Sequence, residues 1–293
     1  MTDIVELDYR FFQRYRYAIV DAEWKGDIPE HWRAVPIAPS FLGKDIFRCP
    51  LLIDAAAIPQ EECIALLVRL EEETAARADT FISLSLACEK PFRQVLTHLR
   101  NRLVIRSFLK NKPRQFRYFD PGTFIQLPDI FGNQGMAWLL GPIDAIAVPW
   151  LGEWRNYANP SDKEQWRFKL NQYIERLQDI SIINRVLVQI ENIENQEQWR
   201  EASKKIHHSV DYARRVYGLM NRDDFIAFSS HAWMHHPNFH QHPFLQKILS
   251  KLVDVSPEDE LDYLELTSSL SESDWEKIAM DMQSVNNIKG IMS

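Results

Sequence analysis

The sequence predicts an α+β/α fold: an N-terminal α/β lobe with a small mixed sheet over residues 1–155, followed by a C-terminal all-helical lobe over residues 156–293. Three observations predict it. Short apolar runs of strand length alternate with stretches of helical periodicity through the first half of the chain. Apolar residues recur at three- and four-residue steps through the second half, between residues suited to cap helices. The change of character follows Trp154, at residues 156–160, and 293 residues at about 150 per domain give each half enough chain for its own core.

Tyr17, Ala18, Ile19 and Val20 before Asp21, and Leu51, Leu52 and Ile53 before Asp54, have the look of buried strands. Pro59 opens a helix with Glu61 and Glu62 in its first turn, where carboxylates meet unpaired N–H groups, and with Ile64, Leu67, Val68 and Leu70 on its apolar side. Residues 80–86 return as a β-rich run. Pro91 starts another helix, with Phe92, Val95 and Leu99 on one stripe. Residues 103–119 form a β-hairpin pattern: Leu103 to Phe108 alternates, residues 110–113 are turn chemistry, and Gln115 to Phe119 is the second arm. The segment from Met136 to Trp150 is expected to supply one or two further strands, broken at Gly141 and Pro142.

Beyond the boundary, Ser161 and Glu164 make a capping box for a helix reaching about Asp179. Trp199, Ala202, Ile206, Val210, Ala213, Tyr217 and Met220 mark one face of a long amphipathic helix that ends near Gly218. Asn221, Ser256 with Pro257, and Ser271 are the expected N-caps of three more helices.

Composition narrows the function classes. The chain is 45% hydrophobic and 26% charged with 9 glycines, the profile of a folded globule rather than a disordered or fibrous chain. The acidic start at residues 1–6 is not that of a signal peptide. The uncharged stretch from Ile130 to Ile143 is shorter than the roughly 18 apolar residues a bilayer needs, so no membrane association is expected. Cys49, Cys63 and Cys88 are odd in number and widely spaced, which fits buried thiols in a reducing cytoplasm rather than disulfides or a redox pair. The net charge of -7 is unevenly spread: Lys90 to Arg117 holds nine bases and no acid, Asp254 to Glu276 nine acids and no base.

The basic stretch interleaves Arg100, Arg102, Arg106, Arg114 and Arg117 with Phe108, Phe116, Tyr118 and Phe119, superficially like a nucleic-acid face. Period two places Arg106 on the side of Val104 and Phe108, so an architectural network of partly buried arginines, with Asp120 the nearest carboxylate, is expected instead. Seven of the nine histidines fall between His207 and His242. His231 and His235 are four apart and would share a helical face, so a metal-dependent enzyme built on His231, His235 and His240 is the rival expectation. The metalloprotease glutamate is missing and Pro237 and Pro243 interrupt the helix, so a polar helix end and loop is the plainer reading. Phosphate loops and serine-nucleophile elbows do not occur.

The run His98, Leu99, Arg100 and on to Val104, Ile105 and Arg106, then Phe116, Arg117, Tyr118, Phe119, Asp120 and Pro121, then Gly141 and Pro142, resembles the central motif of the bacterial type VI secretion effector chaperones, or adaptors. Tyr17 to Asp21 is similar to that family's opening strand, and Phe239 to Leu249 to its C-terminal helix pattern. Gly122 stands where many members carry arginine, and the histidine-rich loop occupies a position where members are usually not histidine-rich. The resemblance implies a non-enzymatic cytoplasmic protein without a cofactor, which holds one toxic effector and helps load it on a VgrG or PAAR spike. Its scaffold and partner-facing residues are then expected among His98, Arg100, Arg106, Arg117, Tyr118 and Asp120, with Trp138, Trp150 and Trp154 as aromatic anchors.

Overall fold

Nine short strands and eleven α-helices alternate through the residues described by the computed structural model: 3–39, 47–106, 113–160, 167–253 and 262–291, with backbone alone at 106, 113–114, 253 and 285–291. Seven strands form one sheet. They are β1 (Asp3–Ile4), β2 (Tyr17–Val20), β3 (Ala34–Pro36), β4 (Leu51–Asp54), β5 (Leu84–Ala87), and, after the two strands of a separate hairpin, β8 (Ala145–Trp150) and β9 (Glu153–Ala158). Their order is β1-β9-β8-β5-β2-β4-β3. Every pairing in it is antiparallel, so the expected small mixed sheet is corrected to a larger antiparallel one. The apolar runs of β2 and β4 register that both faces are covered, since all their residues are buried. That pattern is silent about strand direction.

Helices cover the two faces. Ala18 and Val20 of β2 join Phe11 and Phe12 of α1 (Phe11–Arg14) and Leu66, Leu67 and Leu70 of α2 (Gln60–Ala75) in one core cluster. Tyr17, on the other face by period two, packs edge-on against Phe92 of α3 (Phe92–Arg102), and its hydroxyl donates to the Lys90 carbonyl. Pro59 and Pro91 stand immediately before α2 and α3, as expected. The apolar side of α2 is corrected: Leu66, Leu67 and Leu70 are buried, whereas Ile64 is 54% and Val68 48% exposed.

The hairpin β6 (Val104–Arg106) and β7 (Pro113–Gln115) pairs Val104 with Gln115 and Arg106 with Pro113. Its expected turn at 110–112 lies outside the described residues, as does the Arg106 side chain. The second arm stops at Gln115, earlier than expected. Phe116, Tyr118 and Phe119 are all buried, which an alternating strand with one wet face does not allow, and they turn inward onto α4 (Pro121–Phe124) and α5 (Leu127–Leu140). Residues 136–140 belong to α5, not to a strand. A short apolar run does not reveal its own period, and the helix stops at Gly141, whose φ of +53 suits glycine.

The chain divides into two compact units: residues 1–177 with 194–200, and residues 178–193 with 201–293. Strand β9 runs across residue 155, where the sequence places the lobe boundary. The capping box at Ser161 and Glu164 lies outside the described residues. A helix does span Asp179, but it is α6 (Ile174–Leu187), so it starts later and runs further than expected.

The second unit is helical. In α7 (Gln196–Tyr217), Ala202, Ile206, Val210 and Ala213 are buried as their spacing predicts, while Met220, beyond the helix end, is 93% exposed. Gly218 takes φ +66 where the helix stops. Asn221 caps α8 (Arg222–Met234) by accepting from the Asp223 N–H. Helices α9 (Pro243–Val253) and α10 (Tyr263–Thr267) follow, and the expected cap at Ser256 lies outside the described residues. Ser271 opens α11 (Glu272–Ile291) with a reciprocal cap: its N–H donates to Asp274 Oδ2, and the Asp274 N–H to Ser271 Oγ.

Candidate functional site

The last four carbonyls of a helix have no partner inside it, and α5 shows how the resembling segment deals with them. Ala137 O accepts from the Gly141 N–H and Leu140 O from the Ile143 N–H. Trp138 O accepts from Arg102 Nε at 3.0 Å, and Leu139 O from His98 Nε2 at 2.8 Å. His98 and Arg102, one turn apart on α3, thus complete the end of α5. Burial pushes the His98 imidazole down to about 4, so it serves as a neutral donor. Any Cβ on Gly141 would overlap the His98 ring.

Gly141→Ala combines that overlap with a strained φ. It is expected to lower stability by about 2–3 kcal/mol, measured as a shift in the urea midpoint. A change below about 0.5 kcal/mol would remove this account of the His98 and Gly141 pair.

Arg100 Nη2 donates to Pro36 O at 2.9 Å, tying α3 to the edge strand β3. Its Nε is buried with no acceptor. Tyr118 is buried and donates to Leu99 O, with burial raising its phenol well above the ordinary range. Residues 98, 100 and 118 therefore act as framework in this structure. The expected pairing of a buried Arg106 with Asp120 lies outside the described side chains.

Arg117 and Asp120 sit elsewhere, at the mouth of a cleft of about 230 Å³ in the first unit. Arg117 Nη2 is 3.2 Å from Asp21 Oδ2 and 3.8 Å from Asp120 Oδ2, with its side chain 55% exposed. The pair thus lies at the surface rather than in a buried network. Asp120 also caps α4, accepting from the Thr123 N–H at 2.9 Å.

Asp120→Ala is expected to lower stability by about 1 kcal/mol through the lost cap. Arg117→Ala should cost less, since an exposed ion pair contributes at most about 1 kcal/mol. Thermal unfolding of both variants checks this, and equal losses would contradict it.

The three tryptophans separate. Trp154 is buried in the core, its Nε1–H donating to Thr74 Oγ1 at 2.9 Å. Trp138 lies beneath the Arg102 guanidinium, 4.1 Å from ring centre to Cζ, and against Phe168. Trp150 lines the cleft and packs edge-on to Trp199 at 5.2 Å. A Cβ on Gly122 would stand 3.1 Å from the Trp150 ring, so the ring fills the place of a side chain at 122.

The sequence did not point to the remaining walls of the cleft. Arg77 follows α2 at φ +54, and Leu151 and Gly152 form the two-residue turn between β8 and β9 at φ +53 and +84. Both central residues at positive φ define the tight hairpin turn that matches strand twist. Gly152 between two apolar strands was the available signal. Leu151, which strongly disfavours that conformation, hid it.

His231, His235 and His240 pack against aromatic rings in the described structure. His231 and His235 do share a face of α8, and their rings lie 4.1 and 4.9 Å from Trp275 of α11. His231 Nδ1 is 2.6 Å from the Tyr263 hydroxyl. The buried His240 ring lies 4.4 Å from Tyr212, with neither nitrogen hydrogen-bonded. Burial pushes His231 and His240 down to about 4. Among the described residues, no group of three or more His, Cys, Asp or Glu side chains is arranged to hold a metal. No described helix is long and apolar enough to cross a membrane.

The class that fold and site define is an α+β protein with a seven-stranded antiparallel sheet, a helical C-terminal region and a charged, tryptophan-walled cleft in its first unit. The chain matches no family model, no curated protein and no solved structure.

Proposed function

We propose that this chain is a cytoplasmic, non-enzymatic adaptor that holds a type VI secretion effector and helps load it on a VgrG or PAAR spike. The observation that carries the reading is the convergence of Arg117 and Asp120, from the segment resembling the adaptor motif, with Trp150 on one open cleft. Their neighbours His98, Arg100 and Tyr118 are spent on framework bonds that hold the segment in place. A cleft lined by both aromatic and charged side chains suits a protein partner: apolar contact supplies affinity, and charges set partner choice and encounter rate.

The test is a pull-down with the tagged full-length chain from its native bacterium, read by mass spectrometry. Recovery of one toxin-like protein together with a spike component is expected. Recovery of neither overturns the reading. One zinc per chain by elemental analysis would move it to the metal-dependent alternative on His231, His235 and His240.

A further inference from the structure

Arg77 and Arg117 share the cleft with Asp21, Glu23, Asp79 and Asp120, an excess of two negative charges. Arg117 is committed to Asp21 and Asp120. Glu23 and Asp79 are exposed, and neither carboxylate is engaged by a partner among the described residues. Arg77 lies along the turn backbone, its Cγ and Nε 3.5 Å from where a Cβ on Gly152 would stand.

Trp24 and Trp150 supply aromatic surface to the same concavity, and the buried Trp150 indole N–H has no acceptor. A guanidinium or ammonium group is attracted both by free carboxylates and by the faces of indole rings. Concave, low-dielectric walls strengthen that field. The volume of about 230 Å³ falls below the roughly 300–1,000 Å³ of sites for whole small molecules, and it accommodates one long side chain.

We propose that the cleft is a specificity pocket for a basic side chain presented by a segment of a partner protein. Arginine is favoured over lysine, because a planar guanidinium stacks on indole and meets carboxylates in a fork. The owner of the segment rests on the adaptor reading; the chemistry of the pocket does not.

The full-length chain, with its indole nitrogens labelled, is titrated with the blocked pentapeptide Gly-Ala-Arg-Ala-Gly and with its citrulline and glutamate counterparts. Nuclear magnetic resonance follows the indole N–H signals of Trp24 and Trp150. The arginine peptide is expected to shift both signals saturably at millimolar concentration. The citrulline peptide, and the arginine peptide on the Glu23→Gln, Asp79→Asn variant, are expected to bind about tenfold more weakly. Both substitutions are on exposed side chains without partners, so the fold is retained.

Equal binding of the arginine and citrulline peptides, tighter binding of the glutamate peptide, or no shift with any of them overturns the pocket. The two readings separate in the pull-down. Capture of effector and spike by the double variant at the wild-type level overturns the pocket and leaves the adaptor standing. A bound arginine peptide with no effector captured by the wild type overturns the adaptor and leaves the pocket standing.

Discussion

Arg214→Ala is expected to lower the stability of the second unit by about 3–5 kcal/mol, the cost of leaving a buried charge without its main counterion. Asp179 of α6 is 2% exposed, and its carboxylate receives a forked pair of hydrogen bonds from Arg214 of α7 at 2.6 and 3.2 Å. His207, two turns before Arg214 on α7, stands 3.8 Å from the same carboxylate. Removing the guanidinium takes two charge-assisted hydrogen bonds from a carboxylate that stays buried. Removing the carboxylate is milder, because Arg214, 24% exposed, still reaches water.

The order Arg214→Ala worse than Asp179→Ala is therefore part of the expectation. The double change Asp179→Leu, Arg214→Met should recover much of the loss, as apolar pairs of similar volume replace buried ion pairs at little cost. Hydrogen exchange read by mass spectrometry on peptides of α6, α7 and α8 measures this unit by itself. Arg214→Ala within 1 kcal/mol of wild type would show that the forked pair does not hold α6 to α7.

Acidification should produce the second large effect. His231 and His240 are each held down to about 4 by burial, against 6.5 for an exposed imidazole. The folded unit keeps both neutral, so between pH 6.5 and 4 the unfolded chain binds protons that the folded one does not. Stability is full above about pH 6.5 and falls on the way down to about pH 4, at up to about 2.7 kcal/mol per pH unit for two such groups. His98 works in the same direction in the first unit.

His240→Phe keeps a ring against Tyr212 and Phe228 while removing one titrating group. It is expected to lower the slope of urea midpoint against pH for the second unit by the share of one titrating imidazole. A midpoint that does not move between pH 7 and 5, or an unchanged slope in the variant, would exclude these imidazoles as its cause.

Local signals were legible in the sequence wherever local physics decides. Pro59 and Pro91 mark helix starts because a residue without an N–H and with φ fixed near the helical value has little to lose there. Asn221 and Ser271 mark others because their side chains reach the unpaired N–H groups of the first turn. The apolar runs at 17–20 and 51–53, of strand rather than helix length and each followed by an Asp, are strands with all residues buried. Arg117 and Asp120, singled out in the sequence, both line one cleft.

Tertiary structure alone decided the direction and order of the strands, because hydrophobic pattern records burial and not pairing. It decided that residues 136–140 are helical, since His98 and Arg102 supply the hydrogen bonds that end α5 there. It turned Phe116, Tyr118 and Phe119 out of a strand, burying Phe116 against Phe131, Tyr118 with its hydroxyl on Leu99 O, and Phe119 against Tyr118. It also built the cleft, bringing Arg77 and Asp79 from the end of α2 to Leu151 and Gly152 in a hairpin turn and to Asp21 at the end of β2. No spacing rule connects those segments, because what joins them is the sheet that places the end of β2 and the β8–β9 turn at one edge of the same concavity.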